Sequence, residues 1–265
     1  MLIFNMSSIL VKTKLFIPYL RTKLVERTRL LEKLTLGYKN HHRLLLVNAP
    51  AGFGKTTLVR SWIETIHSPT AWFTIESADS HPRQFLNYLV TAVCQALPEL
   101  EESLLPVTTA SPPLPLTYIK TLLVNQIADT RQPLVIVLDD YHNVDSPDID
   151  KILAFMLDHL PGTTTLVVIT RTEPEFSQAR ERARGQVTEI SIRDLRFTSA
   201  ETENFFDINF GLHLEDEVLT YLKRITEGWV AGLQLLAMNL HADTALKDIH
   251  QSLKQNCVYT LDYLT

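Results

Sequence analysis

The sequence predicts an α/β protein in which a doubly wound parallel sheet is followed by a small all-helical subdomain. Three observations carry this. Several short segments are almost unbroken aliphatic runs, the pattern of strands buried on both faces. Segments of helical period lie between them, as the crossovers of a parallel sheet require. From Thr198 onward strand candidates stop and only helical spacing remains. The predicted organisation is a strap over residues 1–40, a sheet domain over 41–194 and a helical subdomain over 195–265.

The strand candidates, in order, are Arg43–Asn48, Thr70–Ile75, Leu134–Leu138, Thr165–Ile169 and Val187–Ile192. After the first, Leu58, Trp62, Ile63 and Ile66 follow the spacing of one helix face. Phe85, Leu89, Val93 and Leu97 recur every fourth residue behind Pro82, a residue suited to a first helical turn. Pro106–Pro115 is rich in proline and reads as an extended loop within the sheet domain. Ser146-Pro147 reads as an N-cap and first helical residue ahead of Ile149, Ile152, Leu153 and Met156. Thr198 and Glu201 form a capping box before Phe205-Phe206, and Val218-Leu219-Leu222 and Leu233-Leu236-Leu240 continue at helical spacing.

Composition narrows the function classes. With 265 residues, 45% hydrophobic and 21% charged, the chain is neither disordered, collagenous nor fibrous. Cys94 and Cys257 lie far apart without a CxxC spacing, so neither a disulfide framework nor a zinc site is indicated. No apolar run approaches the roughly 18 residues of a membrane span. The first residues, MLIFNMSSILVKTKL, lack the basic start and small-residue cleavage site of a signal peptide, so a cytoplasmic protein is expected. Charge is uneven. Residues 1–60 hold 11 Lys or Arg and 2 Asp or Glu, a net +9, and the remaining 205 hold 14 and 28, a net −14. A basic front around Arg21, Lys23, Arg27, Arg29 and Lys33 would suit a polyanion, or a solvated helix face; direct DNA contact is not expected.

Glycine is scarce, at 8 residues against a typical usage of roughly 7%. Two of the eight, Gly52 and Gly54, fall in the string Ala49-Pro50-Ala51-Gly52-Phe53-Gly54-Lys55-Thr56-Thr57, between a buried strand and a helix. The string follows the phosphate-binding pattern G-x-x-x-x-G-K-[ST], with Ala49 at the first glycine position. The two glycines allow backbone dihedrals that aim N–H groups at phosphate oxygens, and the helix start adds partial positive charge. Lys55 would reach the β- and γ-phosphates and the Thr56 hydroxyl would ligate Mg²⁺. A second half of such a site follows the third strand, where Leu134–Leu138 runs into Asp139-Asp140. Adjacent carboxylates at a strand end repel unless a cation or solvent offsets them. Mg²⁺ shared with ATP or ADP would supply it, with Asp139 on the metal and Asp140 orienting or deprotonating an attacking water. Thr165–Ile169 ends in Thr170-Arg171, where a guanidinium could sense the γ-phosphate or pair with an acid such as Asp139. His142 reads first as a structural hydrogen-bonding residue.

These residues, in this order, resemble the ATPase module of the MalT-like regulators, LuxR-family members of the signal-transduction ATPases with numerous domains (STAND). The resemblance begins at Lys12-Thr-Lys-Leu15, Pro18 and Val25-x-Arg27-x-Arg29-Leu30-Leu31. It continues through Pro50–Thr57, Trp72-Phe73, Asp139-Asp-Tyr-His142 and Thr170-Arg171. It ends with Leu195-x-Phe197-x-x-x-Glu201 and Gly228-Trp-Val-Ala-Gly-Leu-Gln-Leu235. It implies an AAA-like P-loop fold, ATP or ADP with Mg²⁺ as cofactors, and weak ATPase activity. It implies that Val25 and Arg27 pack against the adenosine, that Pro50 to Thr57 cradle the phosphates and that Arg171 is the sensor. Related ATPases carry a proline near adenine where this chain has Gln234, so that contact is not carried over.

The resulting expectation is an ATP-binding, slowly hydrolysing switch that self-associates in its ATP form within a longer regulator. The winged-helix, repeat and helix-turn-helix parts of such regulators do not fit in 265 residues, so an excised module or a truncated product is expected. The alternative is a small-molecule kinase or other phosphoryl-transfer enzyme, with Arg180, Arg182 and Arg184 as its lid.

Overall fold

A computed structural model of the chain describes residues 10–20, 23–176 and 178–238. Arg21, Leu240, Cys257 and the chain end at Thr265 lie outside the described residues. The strap enters with a 3-10 turn at Lys12–Leu15 and leads into α1 (Thr28–Lys39). Then come β1 (Leu44–Asn48), α2 (Lys55–Ile66), β2 (Thr70–Thr74), α3 (Pro82–Ala96), α4 (Glu101–Thr109) and α5 (Leu116–Thr130). The sheet domain closes with β3 (Leu134–Asp139), α6 (Pro147–His159), β4 (Thr164–Thr170), α7 (Ala179–Ala183) and β5 (Val187–Ile190). A short α8 (Ile192–Leu195) passes the chain to α9 (Ser199–Phe210), α10 (Asp216–Thr226) and α11 (Val230–Met238).

All pairings in the five-stranded sheet are parallel, in the order β2-β3-β4-β1-β5. Each aliphatic run divides between the two faces by the period of two. Leu44, Leu46, Leu134, Ile136, Leu138, Leu166 and Val168 enter one core with α3 to α6. Leu45, Val47, Val135, Val137, Val167 and Ile169 enter the other with α1 and α2. The central strands are therefore apolar on both faces along their middles, and the run pattern expected of a doubly wound sheet is what the fold uses. A third core, built on Phe197, Phe205, Phe206, Leu222, Leu233 and Leu236, belongs to the helical subdomain.

The strap is held by charge as well as by packing. Lys14 Nζ lies 3.1 and 2.8 Å from the two oxygens of Asp79, which is fully buried, and 2.9 Å from Glu76. Burial works against the Lys14 ammonium, but hydrogen bonds with Asp79 and Glu76 prevail and raise its pKa. At the other end of the strap, buried Arg27 donates to Glu201 at 3.3 Å and to the Leu195 carbonyl at 2.9 Å, and stacks over the Phe197 ring. Arg29 and Lys33 pair with Glu201 and Asp194. Three cations of the basic front thus face acids of the segment around α8 and α9.

Local expectations hold unevenly. The Thr198–Glu201 capping box is present in both directions, at 3.1 and 2.8 Å. Ser146 precedes α6 with Pro147 in its first turn, but its side chain makes no capping hydrogen bond. The Pro106–Pro115 loop is shorter than expected, because α4 runs through Pro106 to Thr109. Buried Leu104 and Val107 hold that turn. The carbonyl that Pro106 cannot satisfy is that of Glu102, an exposed residue with access to water. The last strand ends at Ile190 rather than Ile192. The Ser191 N–H donates to Asp194 Oδ2 at 2.9 Å in a capping box that turns the chain into α8.

A candidate nucleotide site between the sheet and the helical subdomain

Parallel strands deliver their C-terminal ends to one edge, and the loops after β1, β3 and β4 meet there. The strand order sets β4 between β1 and β3, so the Arg171 corner lies between the phosphate-loop motif and the acidic pair.

After β1 the chain turns through Ala49 to Gly54 before α2 begins at Lys55. Gly52 and Gly54 have φ of +79° and +76°, the left-handed region that side chains strain to reach. The sequence places glycine where the loop requires it. Lys55 Nζ donates to the Pro50 carbonyl at 2.9 Å, across the loop. Burial, then the nearby Arg171 charge, lowers the Lys55 pKa against the pull of Asp140 and Asp139. An ammonium in that setting gains from an added anion.

Thr56 lies in the first turn of α2, and its Oγ1 donates to Asp139 Oδ1 at 3.0 Å. Asp139 is 3% exposed at the end of β3. Burial and the neighbouring Asp140 push its pKa up to about 6, although Thr56, the Asp140 N–H and Lys55 favour its ionised form. Asp140 turns through φ +57° and donates its N–H to Asp139 Oδ1 at 3.0 Å, leaving its own carboxyl half-exposed. A hydroxyl and a carboxylate held together by oxygen atoms form a hard-donor pair suited to Mg²⁺. Among the described residues no cluster of three or more His, Cys, Asp or Glu could hold a metal by itself. Further oxygen ligands, from phosphate or water, would be needed to complete the octahedral shell of Mg²⁺.

Arg171 is exposed at the tip of β4 and makes no ion pair among the described residues. Its charge reaches both Lys55 and His142, depressing the pKa of each after burial has done so. His142 Nδ1 is buried without a hydrogen-bond partner and lies 3.8 Å from Asp140 Oδ1. The structure thus brings Lys55, Thr56, Asp139, Asp140 and Arg171 to one edge, as the spacing predicts.

A cavity of about 410 Å³ adjoins this edge. Val25 and Arg27 of the strap, Phe53, Gly54, Thr57 and Ser61 of the loop and α2, and Phe197, Phe205, Asn209 and Gln234 of the helical subdomain line it. Val25 and Arg27 are the residues that the resemblance sets against adenosine, and Phe53, Gly54 and Thr57 belong to the stretch that it sets around the phosphates; all five line this cavity. The Arg27 guanidinium, however, is committed to Glu201 and to main-chain carbonyls, so it braces the wall as well as lining it. Phe205, Asn209 and Ser61 were not foreseen. Their spacing is that of ordinary helix residues, and only the placement of α9 across the cavity from α2 and the strap makes them a wall. Gly228 closes the subdomain: at φ +73° a Cβ there would stand 2.7 Å from the Phe197 backbone nitrogen.

The sequence of residues 23–169 matches the AAA ATPase domain. The chain belongs to this family. Membership of this family implies nucleotide binding. Among curated proteins the chain is 33% identical over 259 residues to the HTH-type transcriptional regulator MalT of Cronobacter sakazakii. That alignment covers 96% of this chain and 28% of the regulator. It is 34% identical over 230 residues to MalT of Klebsiella pneumoniae, covering 87% of this chain and 25% of that protein. The chain therefore spans about a quarter of the length of the curated relatives it matches. Among solved structures, a Walker-type ATPase of Pyrococcus abyssi gives a TM-score of 0.60 at 13% identity, over 94% of this chain and 77% of that one. A Drosophila ORC structure bound to DNA gives 0.55 at 12% identity, over 91% and 64%. Cdc6p of Pyrobaculum aerophilum gives 0.52 at 16% identity, over 96% and 67%. These three likenesses concern the fold alone. No helix among the described residues is long and apolar enough to cross a membrane.

Proposed function

We propose that this AAA ATPase domain is the nucleotide switch of a cytoplasmic transcription regulator of the MalT kind. ATP with Mg²⁺ binds between the sheet and the helical subdomain, and hydrolysis is slow. The observation that carries the reading is the continuity of the two halves of the site. The aromatic cavity opens at Gly54 and Thr57, beside the loop whose Lys55 and Thr56 face Asp139.

A base with its ribose occupies the cavity against Phe197, Phe205 and Val25, and the phosphates run along the loop. Mg²⁺, when bound with the nucleotide, would supply positive charge beside Asp139 and the phosphates. Thr56 and Asp139 would offer their side-chain oxygens to that ion, Asp140 would position a water and Arg171 would meet the terminal phosphate. Because strap, loop and helical subdomain all wall the cavity, nucleotide ties the three together and favours one domain arrangement. In the longer regulator that arrangement exposes a self-association surface.

The kinase alternative gains no support from its arginine run. Arg180 pairs with Asp158, and Arg182 with Glu173 and Glu189, on the outside of the sheet domain.

Thermal unfolding with and without Mg-ATP tests the reading. Ligand at 100 times its Kd stabilises by about 2.7 kcal/mol. A folded protein whose melting temperature responds to neither ATP nor ADP overturns it. ADP release that requires an added metabolite acceptor favours the kinase.

A further inference from the structure

The loop after β1 is gripped from outside the sheet domain. The Trp229 indole N–H donates to the Ala51 carbonyl at 2.8 Å. The Ala231 N–H, in the first turn of α11, donates to the Gly52 carbonyl at 3.0 Å. First-turn N–H groups have no partner inside their own helix, so α11 finds one of its acceptors on the phosphate loop. The approach is as close as the chemistry permits. A Cβ on Gly52 would stand 2.6 Å from both the Ala231 Cβ and Trp229 Nε1, and a Cβ on Gly232 would stand 2.5 Å from the Trp229 ring. The glycine requirement at 52 is therefore double, for left-handed backbone and for the approach of the helical subdomain.

A trans peptide sets its carbonyl and the following N–H in opposite directions. Fixing the Ala51 and Gly52 carbonyls toward α11 fixes the N–H groups of Gly52 and Phe53 away from it, toward the inside of the loop. Those are the inward donors that a phosphate cradle uses.

We propose that Trp229 and the Ala231 amide are positioning groups for phosphate binding, holding two peptides of the loop so that the Gly52 and Phe53 N–H groups meet the phosphates. The cradle is then a joint product of the sheet domain and the helical subdomain. Displacing the subdomain frees both peptides to rotate and weakens the grip on phosphate without touching Lys55. This rests on the nucleotide reading above.

Calorimetric titration of the full chain with Mg-ATP and with adenosine, for wild type and Trp229→Phe, separates the effects. Phenylalanine keeps an aromatic ring and removes the indole donor. The expected result is a roughly five- to tenfold loss of ATP affinity with adenosine affinity unchanged, the scale of one hydrogen bond. Equal losses for ATP and adenosine, or no loss, overturn the inference while leaving nucleotide binding in place. Wild type that binds no ATP overturns both. If Trp229→Phe does not fold, benzothienylalanine at position 229, which replaces the indole N–H by sulfur in the same shape, carries the same expectations.

Discussion

Asp139 and Lys55 are each held where their own charge is disfavoured, and each would be relieved by the opposite charge of the proposed Mg-nucleotide. Asp139 binds its proton more tightly folded than unfolded, since its pKa is pushed from the ordinary carboxylate value to about 6. A raised folded value means that this residue's contribution to stability is greatest below the unfolded pKa and is lost as pH rises between about 4 and 6. Asp139→Asn keeps an oxygen for the Thr56 and Asp140 donors and removes the charge. It should raise the stability of the protein without nucleotide at pH 7.5 by up to about 3 kcal/mol, and any ATP-induced stabilisation should lose its dependence on Mg²⁺. Chemical denaturation with and without Mg-ATP reads both. Lys55→Ala should leave or raise the melting temperature, because the pKa of the buried ammonium is already lowered by burial and Arg171. Its ATP affinity should fall by about 1.5 to 3 kcal/mol, the worth of a charged hydrogen bond, as measured by calorimetry. At this scale the placement of Gly52, Gly54, Lys55, Thr56 and Asp139 was legible, because local spacing sets where the loop turns, where α2 starts and where β3 ends. It was silent on the Trp229 contact, because an indole reaching a carbonyl 178 positions away leaves no local pattern.

At the scale of elements, the strap and α9 are joined through one acid. Glu201 receives Arg27 and Arg29 and caps its own helix through the Thr198 N–H. Burial opposes its charge, yet the Thr198 N–H and the two arginines outweigh burial and lower its pKa. A lowered folded value gives stability that is present above the unfolded pKa and lost as pH falls through the folded one. Glu201→Gln keeps a cap acceptor and leaves Arg27 buried without its counter-charge. It should cost about 3 kcal/mol near neutral pH and flatten the loss of stability below pH about 4.5, the ordinary glutamate range; thermal melts across that window measure it. The cap was readable because Thr198-x-x-Glu201 is a local code. Its second duty was not, because pairing with Arg27 spans 174 positions. Proline misled in a similar way at Pro106: composition argued for a loop, and burial of Leu104 and Val107 overrode it.

Over the whole molecule, the charge imbalance between the first 60 residues and the remainder has an internal explanation. Lys14, Arg27, Arg29 and Lys33 are matched by Asp79, Glu201 and Asp194, so the basic front is spent in part on holding the strap to the body. Fluorescence anisotropy of labelled duplex DNA should accordingly stay flat at physiological salt up to roughly 10⁻⁴ M protein, a range in which non-specific binding with a Kd of roughly 10⁻⁴ to 10⁻⁶ M would register. The fold class was legible because both faces of the sheet are covered, which leaves apolar runs without alternation. The cavity was not, since its walls come from three separate stretches of chain.

The strand order has a consequence for the making of the protein. β1 pairs only with β4 and β5, and the first of these is synthesised roughly 120 residues later, a wait of about 6 to 24 seconds at 5–20 residues per second. β2 and β3 can pair with each other once β3 has been made, before β4 appears, while Leu44–Asn48 emerges from the ribosome with both edges open for the whole interval. The segment that leads into the phosphate loop is therefore an aliphatic stretch of the nascent chain that waits longest for its sheet partners, and a natural place for a chaperone to hold it.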